Sequence, residues 1–446
     1  MQLKKLTPVQ LLILIYFSAS ILSSFLLWLP ISHQPGVELS YLDSLFTAVS
    51  AISVTGLTVA NTADTFSPTG IILIMAMIQF GGVGFMTVGT FLWMATGQRI
   101  GIQRRRMIML DQNRSDLAGL VRLMRDILII SLAIEALGAV LMGIYLHLVY
   151  GYGWNAIAYG AFSSLSAYTN AGLDIFGDSL MGFRNDGFFL ALNMGLIVAG
   201  GIGFPVLIEL KEWFASRSRR NFHFSLFTKI TVTTYIGLLL LGMVGLWLLE
   251  GQHLYAGQGW GQAFWNSLFF SVTMRSCGLT ILDLNDFTVS SQLFLSLLMF
   301  IGASPSSVGG GIRTTTLAVV ILAIIGYARG QHHIRIFHRE LMDKDIRKAA
   351  IIFSIGILLV GLATIAVTAL QPQQSLNSII FEVNSAFGTT GASLGISAEL
   401  SPLTKGILMV LMFVGRIGIL PILFLFRGKT PPDPYRYPRE HLIIGH

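Results

Sequence analysis

Four glycines, Gly56, Gly172, Gly278 and Gly391, stand 116, 106 and 113 residues apart, and each closes a short run of small residues. The runs are Val54-Thr55-Gly56, Asn170-Ala171-Gly172, Ser276-Cys277-Gly278 and Thr389-Thr390-Gly391. Backbone carbonyls gathered in a ring can replace the hydration shell of a monovalent cation, and glycine lets a chain turn its C=O groups inward by adopting positive φ. One such glycine reads as a helix-packing contact. Four in equivalent settings read as a selectivity filter with potassium bound at these residues. With one glycine per loop and no long Thr-Val-Gly-Tyr-Gly run, few ion sites and modest selectivity are expected.

A second constellation lies nearby in sequence. The run Gly302, Ala303, Ser304, Pro305, Ser306, Ser307, Val308, Gly309, Gly310, Gly311, Ile312, Arg313 interrupts an apolar stretch and is incompatible with a regular helix. It is expected to be unwound within the membrane, as a gate or as a static kink. Arg416 sits in another apolar stretch, where two corresponding segments carry Gly82 and Gly201. A cation at such depth costs at least about 2.5–3.5 kcal/mol and is a functional hypothesis by default. Arg416 is expected to project into the pathway and donate to carbonyls of 302–313; an ion pair with Glu382 or Glu135 is the alternative. Arg313 is expected to face the cytoplasm as a snorkelling anchor.

The elements that position these residues follow from hydropathy. The 446 residues are 53% hydrophobic and 11% charged, with mean hydropathy +0.70, well outside soluble composition. Apolar stretches near 8–30, 70–96, 126–149, 188–210, 230–250, 291–328, 350–370 and 404–426 approach or exceed the ~20 residues needed to span ~30 Å of hydrocarbon. The first is read as a membrane helix rather than a signal peptide, for it lacks a small-residue cleavage site. The expected fold is an all-α integral membrane protein with eight spanning helices and four pseudo-repeats of helix, re-entrant pore loop and helix around one pore. The repeats are placed at 1–100, 101–225, 226–330 and 331–446.

Each copy has a half-helix of about ten residues led by Phe46, Phe162, Trp265 or Phe381, too short to span. Its polar turn survives at membrane depth only if protein buries it or it lines a watery cavity. Lys and Arg concentrate in 98–125, 211–229, 329–348 and both termini, whereas the alternate loops contain only Arg184. The positive-inside rule then places both termini in the cytoplasm and all four pore loops on the outer side. This topogenic pattern accounts for the net charge of +7 without nucleic acid. Asp174, Asp178, Asp283, Asp286 and Glu399 follow the loops and could concentrate cations at the mouth.

No Gly-rich phosphate loop, His-Glu-x-x-His or Ser or Cys paired with an intramembrane His is present, so no enzyme is expected and no cofactor. The single cysteine, Cys277, excludes an intrachain disulfide. An alternating-access sodium or potassium symporter is the rival transport reading; its repeats are commonly inverted, while these four share one orientation.

Several motifs carry a family resemblance: Ser-Val-Thr-Gly-Leu at 53–57, Gln-Phe-Gly-Gly-Val-Gly-Phe-Met at 79–86, Gly-Gly-Ile-Gly-Phe at 200–204, Met-Phe-Ile-Gly-Ala at 299–303, and Met-Phe-Val-Gly-Arg-Ile-Gly at 412–418. Over nearly its whole length the chain resembles the Trk/Ktr/HKT superfamily of cation uptake proteins, and the membrane subunit of bacterial Ktr systems in particular. The resemblance implies potassium uptake at the cell membrane, sodium as a candidate activator, and a gate in the intramembrane loop. It also implies a homodimer on a cytosolic, nucleotide-binding regulator-of-conductance ring, with 329–348 and the tail after Phe426 as docking surfaces or sites for anionic membrane lipid. The third loop, with Met274-Arg275-Ser276-Cys277-Gly278, departs from the Thr-Ala-Gly or Ser-Ala-Gly turn of similar proteins.

Overall fold

The computed structural model describes residues 7–84, 87, 119–216, 222–331 and 333–425. Most of the basic segment 98–125, the end of the stretch 70–96, Arg217, Arg219, Arg220 and the tail after Phe426 lie outside the described residues. The described chain is helical apart from one two-residue hairpin. The helices are α1 (Pro8–Trp28), α2 (Tyr41–Ser53), α3 (Thr62–Thr65), α4 (Pro68–Val83), α5 (Leu120–Val149), α6 (Asn155–Thr169), α7 (Gly187–Gly201) and α8 (Phe204–Ala215). They continue as α9 (Leu226–Glu250), α10 (Trp260–Thr273), α11 (Val289–Ile301), α12 (Thr314–Ala328), α13 (Asp343–Leu370), α14 (Leu376–Gly388), α15 (Pro402–Ile417) and α16 (Ile419–Leu425). Strands β1 (Arg335–Ile336) and β2 (Arg339–Glu340) pair antiparallel in the basic 329–348 segment.

Helix starts are written in hydroxyls that accept orphan N–H groups. Ser40 caps α2, Ser67 caps α4, Ser225 caps α9, Thr288 caps α11, Ser375 caps α14 and Ser401 caps α15. Proline follows the cap in α4 and α15, where its missing N–H costs nothing. Four helices, α1, α5, α9 and α13, are long and apolar enough to cross a membrane, with mean hydropathies of 2.1, 2.5, 2.0 and 2.7. The protein is a membrane protein on this evidence.

The intervening helices differ from expectation. The stretches 188–210 and 404–426, read as continuous spans, are bent pairs: α7 and α8 meet at 104°, α15 and α16 at 102°. The breaks fall at Gly203 (φ +104°) and Gly418 (φ +93°), and α4 and α11 end likewise at Gly84 (φ +93°) and Gly302 (φ +72°). Side-chain-bearing residues disfavour such φ values, so each glycine stops a helix that hydropathy alone would continue. The interruption at 302–313 is therefore not alone: α4, α7, α11 and α15 each end at or within two residues of a positive-φ glycine.

The half-helices α2, α6, α10 and α14 run 13, 15, 14 and 13 residues, longer than the ten expected yet still short of a span. Their cores hold Phe46, Phe162, Phe269 and Phe381, each 0–1% exposed. In the third helix it is Phe269 that occupies this place, not Trp265, which is 37% exposed. Phe269 stands nine positions before its glycine, against ten for the other three, and α10 ends five residues before Gly278 where the other half-helices end three before theirs, so the third turn is the longer one.

Candidate functional site

The chain's four turns close on one another. A Cβ built on Gly56 would collide with the carbonyl oxygen of Ala171, and one on Gly172 with that of Cys277. One on Gly278 would strike the Thr390 carbonyl, and one on Gly391 the Thr55 carbonyl. Copy one therefore touches two, two touches three, three touches four, and four returns to one. All four glycines have positive φ, +92°, +67°, +77° and +88°, and each abuts the carbonyl preceding its neighbour's glycine. The ring is narrow: the carbon added at Gly172 would also lie 3.4 Å from the Thr390 carbonyl oxygen, diagonally across. All twelve residues expected around the filter are brought together, and all are buried except Gly172 and Gly391, which are partly exposed.

Local hydrogen bonds explain why these sequences turn. In copies one, two and four the residue two before glycine caps the half-helix in the left-handed region: Val54 (φ 56°), Asn170 (φ 57°) and Thr389 (φ 50°). The next N–H then reaches back five residues, Thr55 to the Ser50 carbonyl at 2.8 Å, Ala171 to Ser166 at 2.8 Å and Thr390 to Ser385 at 2.9 Å. The Ser50 and Ser385 hydroxyls also accept the Gly56 and Gly391 N–H groups, both at 3.0 Å. A β-branched residue at positive φ is a genuine outlier and costs about 1–3 kcal/mol. Only a surrounding structure that over-determines the turn holds it there.

The third copy does it differently. No residue from 274 to 277 has positive φ. Cys277 and Gly278 N–H groups both donate to the Thr273 carbonyl at 2.9 Å, and the Thr273 hydroxyl donates to the Leu279 carbonyl at 2.9 Å. Ser276 donates its hydroxyl to Asn170 Oδ1 at 3.0 Å, tying quarters two and three together. Asn170 Nδ2 in turn donates to the carbonyls of Tyr168 and Ile197, each at 3.3 Å. The amide of Asn170 is thus occupied in bracing the ring, and only its backbone is left to face the axis.

Beneath the ring the segment 302–313 is unwound and buried. Gly309 approaches Ser276, and a Cβ there would stand 3.2 Å from that of Ser276; Gly310 packs against Thr389 and the Gly415 carbonyl. The segment is moored to the α7–α8 break, with Ser304 N–H donating to Gly201 at 3.1 Å, Val308 to Gly200 at 3.3 Å, and Phe204 to Ser306 at 2.7 Å. Internal bonds join Ala303 N–H to the Gly310 carbonyl at 3.2 Å, Ser307 Oγ to the Ser304 carbonyl at 2.6 Å, and Thr314 Oγ1 to Ser304 Oγ at 3.0 Å. Gly302, Ser306 and Gly311 take positive φ, which lets the chain reverse within so short a run. Beside it a cavity of about 300 Å³ is lined by Pro305, Ser306, Ser307, Arg313, Lys348 and Arg416.

Arg416, 9% exposed, lies in α15 as its sequence position implied. Its Nη1 donates to the Val308 carbonyl, and its Nη2 to those of Gly81 and, at 2.9 Å, Gly82. Among the described residues no carboxylate pairs with it; Glu382 accepts from the Ser393 hydroxyl instead. The guanidinium thus staples 302–313 to the end of α4. Arg313 is a correction. It does not reach outward as an anchor but turns back on the segment, donating to the carbonyls of Ser304 at 3.3 Å and Gly309.

Two features escaped sequence reasoning. Lys405 Nζ lies 2.7 Å from Asp43 Oδ1, closing the ring of helices between α15 and the start of α2, 362 residues away. Arg275, 1% exposed, lies directly behind the third turn. Of the acidic residues expected at the mouth, Asp174 accepts the N–H groups of Phe176, Gly177 and Ser179, Asp283 accepts from Asn285, and Glu399 accepts from Gln374. Burial of Asp174 holds its carboxyl above the ordinary aspartate range despite those three donors.

The sequence model of the TrkH family, described as cation transport protein, matches residues 7–436. Ktr system potassium uptake protein D of Bacillus subtilis (strain 168) is 47% identical over 443 residues, 99% of this chain and 98% of that protein. Ktr system potassium uptake protein B of the same organism is 35% identical over 448 residues, 99% of this chain and 97% of that protein. The crystal structure of the potassium transporter TrkH from Vibrio parahaemolyticus is similar in fold, with a TM-score of 0.74 at 18% identity, over 96% of this chain and 86% of that one.

Proposed function

The chain belongs to the TrkH family of cation transport proteins, a family of transporters and not of enzymes, and from that premise we propose that it takes up potassium across the cell membrane through the ring at Gly56, Gly172, Gly278 and Gly391. The observation that carries this reading is the closed cycle of four glycines, each set against its neighbour's carbonyl. Neutral carbonyl oxygens compensate a cation that has shed water, and the absence of a fixed carboxylate in the ring suits release as well as binding. The relatives named for potassium uptake match the whole length of the chain, which supports potassium as the ion.

On this reading 302–313 is the gate, held across the pathway by Arg416 and by the α7–α8 break, and every element that contacts it sets its equilibrium. Both termini are assigned to the cytoplasm, sodium to the role of activator, and a second copy of the chain to a membrane homodimer. A cytosolic nucleotide-binding regulator-of-conductance ring is the proposed controller. The exposed hairpin at Arg335–Ile336 and Arg339–Glu340 supports the 329–348 segment as its docking surface.

The test is potassium and sodium flux into proteoliposomes for wild type and Gly278→Asp. A carboxylate at φ +77° beside the Thr390 carbonyl cannot be accommodated without opening the ring, so potassium flux is expected to vanish while the protein stays assembled. Unchanged flux in Gly278→Asp would return the reading to an alternating-access symporter.

A further inference from the structure

Arg275 is a buried charge in the third turn, with no countercharge among the described residues. It is three residues before Gly278 and 1% exposed. Its guanidinium carbon lies 3.7 Å from the centroid of the Tyr235 ring on α9, and Nη1 donates to the Tyr235 carbonyl at 3.4 Å. Among the described residues Nε and Nη2 have no hydrogen-bond partner and no carboxylate forms an ion pair with Arg275. Lys405, also buried, has Asp43, and Arg416 has three carbonyls. A buried unpaired cation costs several kcal/mol, and an apolar residue would fill the same space without that cost. The face of Tyr235 and one carbonyl hold it in place. The fourfold pattern is also broken here: only this quarter lacks the left-handed cap, and its half-helix ends five residues before the glycine instead of three.

Resting on the transport reading above, we propose that Arg275 is a specificity-determining residue that acts as a fixed positive charge behind the ring, setting how tightly the carbonyls hold a cation. Three peptide units and the length of an arginine side chain together put the charge within about 17 Å of the Gly278 backbone. At that limit and an effective dielectric near 20, the repulsion weakens binding of a monovalent ion by at least about fivefold. Because the term depends on charge and not on radius, it acts equally on potassium and sodium and squares for a divalent ion. A ring of neutral oxygens that binds too tightly conducts slowly, and this charge loosens it without altering its width.

The experiment compares wild type, Arg275→Lys, Arg275→Met and Tyr235→Glu in proteoliposomes, reading the half-saturating concentrations of potassium and sodium and the blocking concentration of barium. Arg275→Met removes the charge; Tyr235→Glu keeps the arginine and neutralises it in place, which covers the case in which the methionine variant does not assemble. In either variant, potassium and sodium half-saturation are each expected to fall at least about fivefold and the barium blocking concentration at least about 25-fold, with Arg275→Lys close to wild type. Unchanged half-saturation, unequal shifts for potassium and sodium, or a barium shift no larger than that of potassium would each overturn the proposal in favour of a purely structural arginine. Wild-type protein without potassium flux would instead overturn the transport reading itself.

Discussion

Replacing Arg416 by alanine separates a gate from a kink. Three carbonyls share its guanidinium, but only Val308 belongs to the 302–313 segment; Gly81 and Gly82 belong to α4. Beside the three backbone bonds to the α7–α8 break, the share of the mooring that Arg416 supplies is therefore one charge-assisted hydrogen bond, worth about 1.5–3 kcal/mol. Where closed molecules predominate, removing it raises the open population by about 10- to 150-fold. The substitution also removes a cation whose insertion costs at least about 2.5–3.5 kcal/mol, so the fold is expected to survive. The carbonyls left behind border the cavity of about 300 Å³, where water can reach them. The assay is rubidium uptake into proteoliposomes with no cytosolic partner present, normalised to the protein recovered as a single species. Uptake is expected to rise at least tenfold in Arg416→Ala and by less in Arg416→Lys, whose ammonium donates as a point charge and cannot bridge both walls. Uptake that stays at the wild-type level in an intact Arg416→Ala protein would refute the gate and leave 302–313 as a static kink.

Other substitutions probe the ring and its bracing. Gly391→Ala places a methyl against the Thr55 carbonyl at φ +88°, and the left-handed conformation together with overpacking costs about 2–5 kcal/mol; potassium flux is expected to fall more than tenfold at unchanged expression. Lys405→Met leaves the partly buried Asp43 without its ammonium and is expected to cost about 1–3 kcal/mol, seen as a lower melting temperature that Asp43→Asn in the same chain largely restores. A double-mutant cycle of Asn170→Ala and Ser276→Ala, read by thermal unfolding, is expected to give a coupling of about 0.5–1.5 kcal/mol from their 3.0 Å hydrogen bond, and zero coupling would mean the two quarters are not braced there.

Much of this protein is legible in its residues because the membrane leaves so few options. Apolar runs longer than a bilayer is thick become helices, and a polar turn ending in glycine cannot face lipid, so the positions of Gly56, Gly172, Gly278 and Gly391 already mark four turns of one kind. Arg416 stands out for the same reason, as does a run holding Pro305 and three consecutive glycines. Hydropathy fails at Gly84, Gly203 and Gly418, because it measures transfer to lipid and carries no information on φ; the two bends of 104° and 102° lie inside uniformly apolar stretches.

What only the tertiary structure decided is which groups meet. The order of the ring, with Gly391 returning to the Thr55 carbonyl, joins residues 336 positions apart, and the ion pair of Lys405 with Asp43 spans 362. The nine-residue spacing from Phe269 to Gly278 is countable in the chain, yet a third turn without a left-handed cap is visible only in the backbone dihedrals. Arg313 and Arg275 look alike in sequence, two arginines near the ends of apolar runs. One turns back on its own segment and the other stacks on Tyr235, since a long side chain takes its direction from the nearest unmatched carbonyl or ring face, and those are supplied by other parts of the fold.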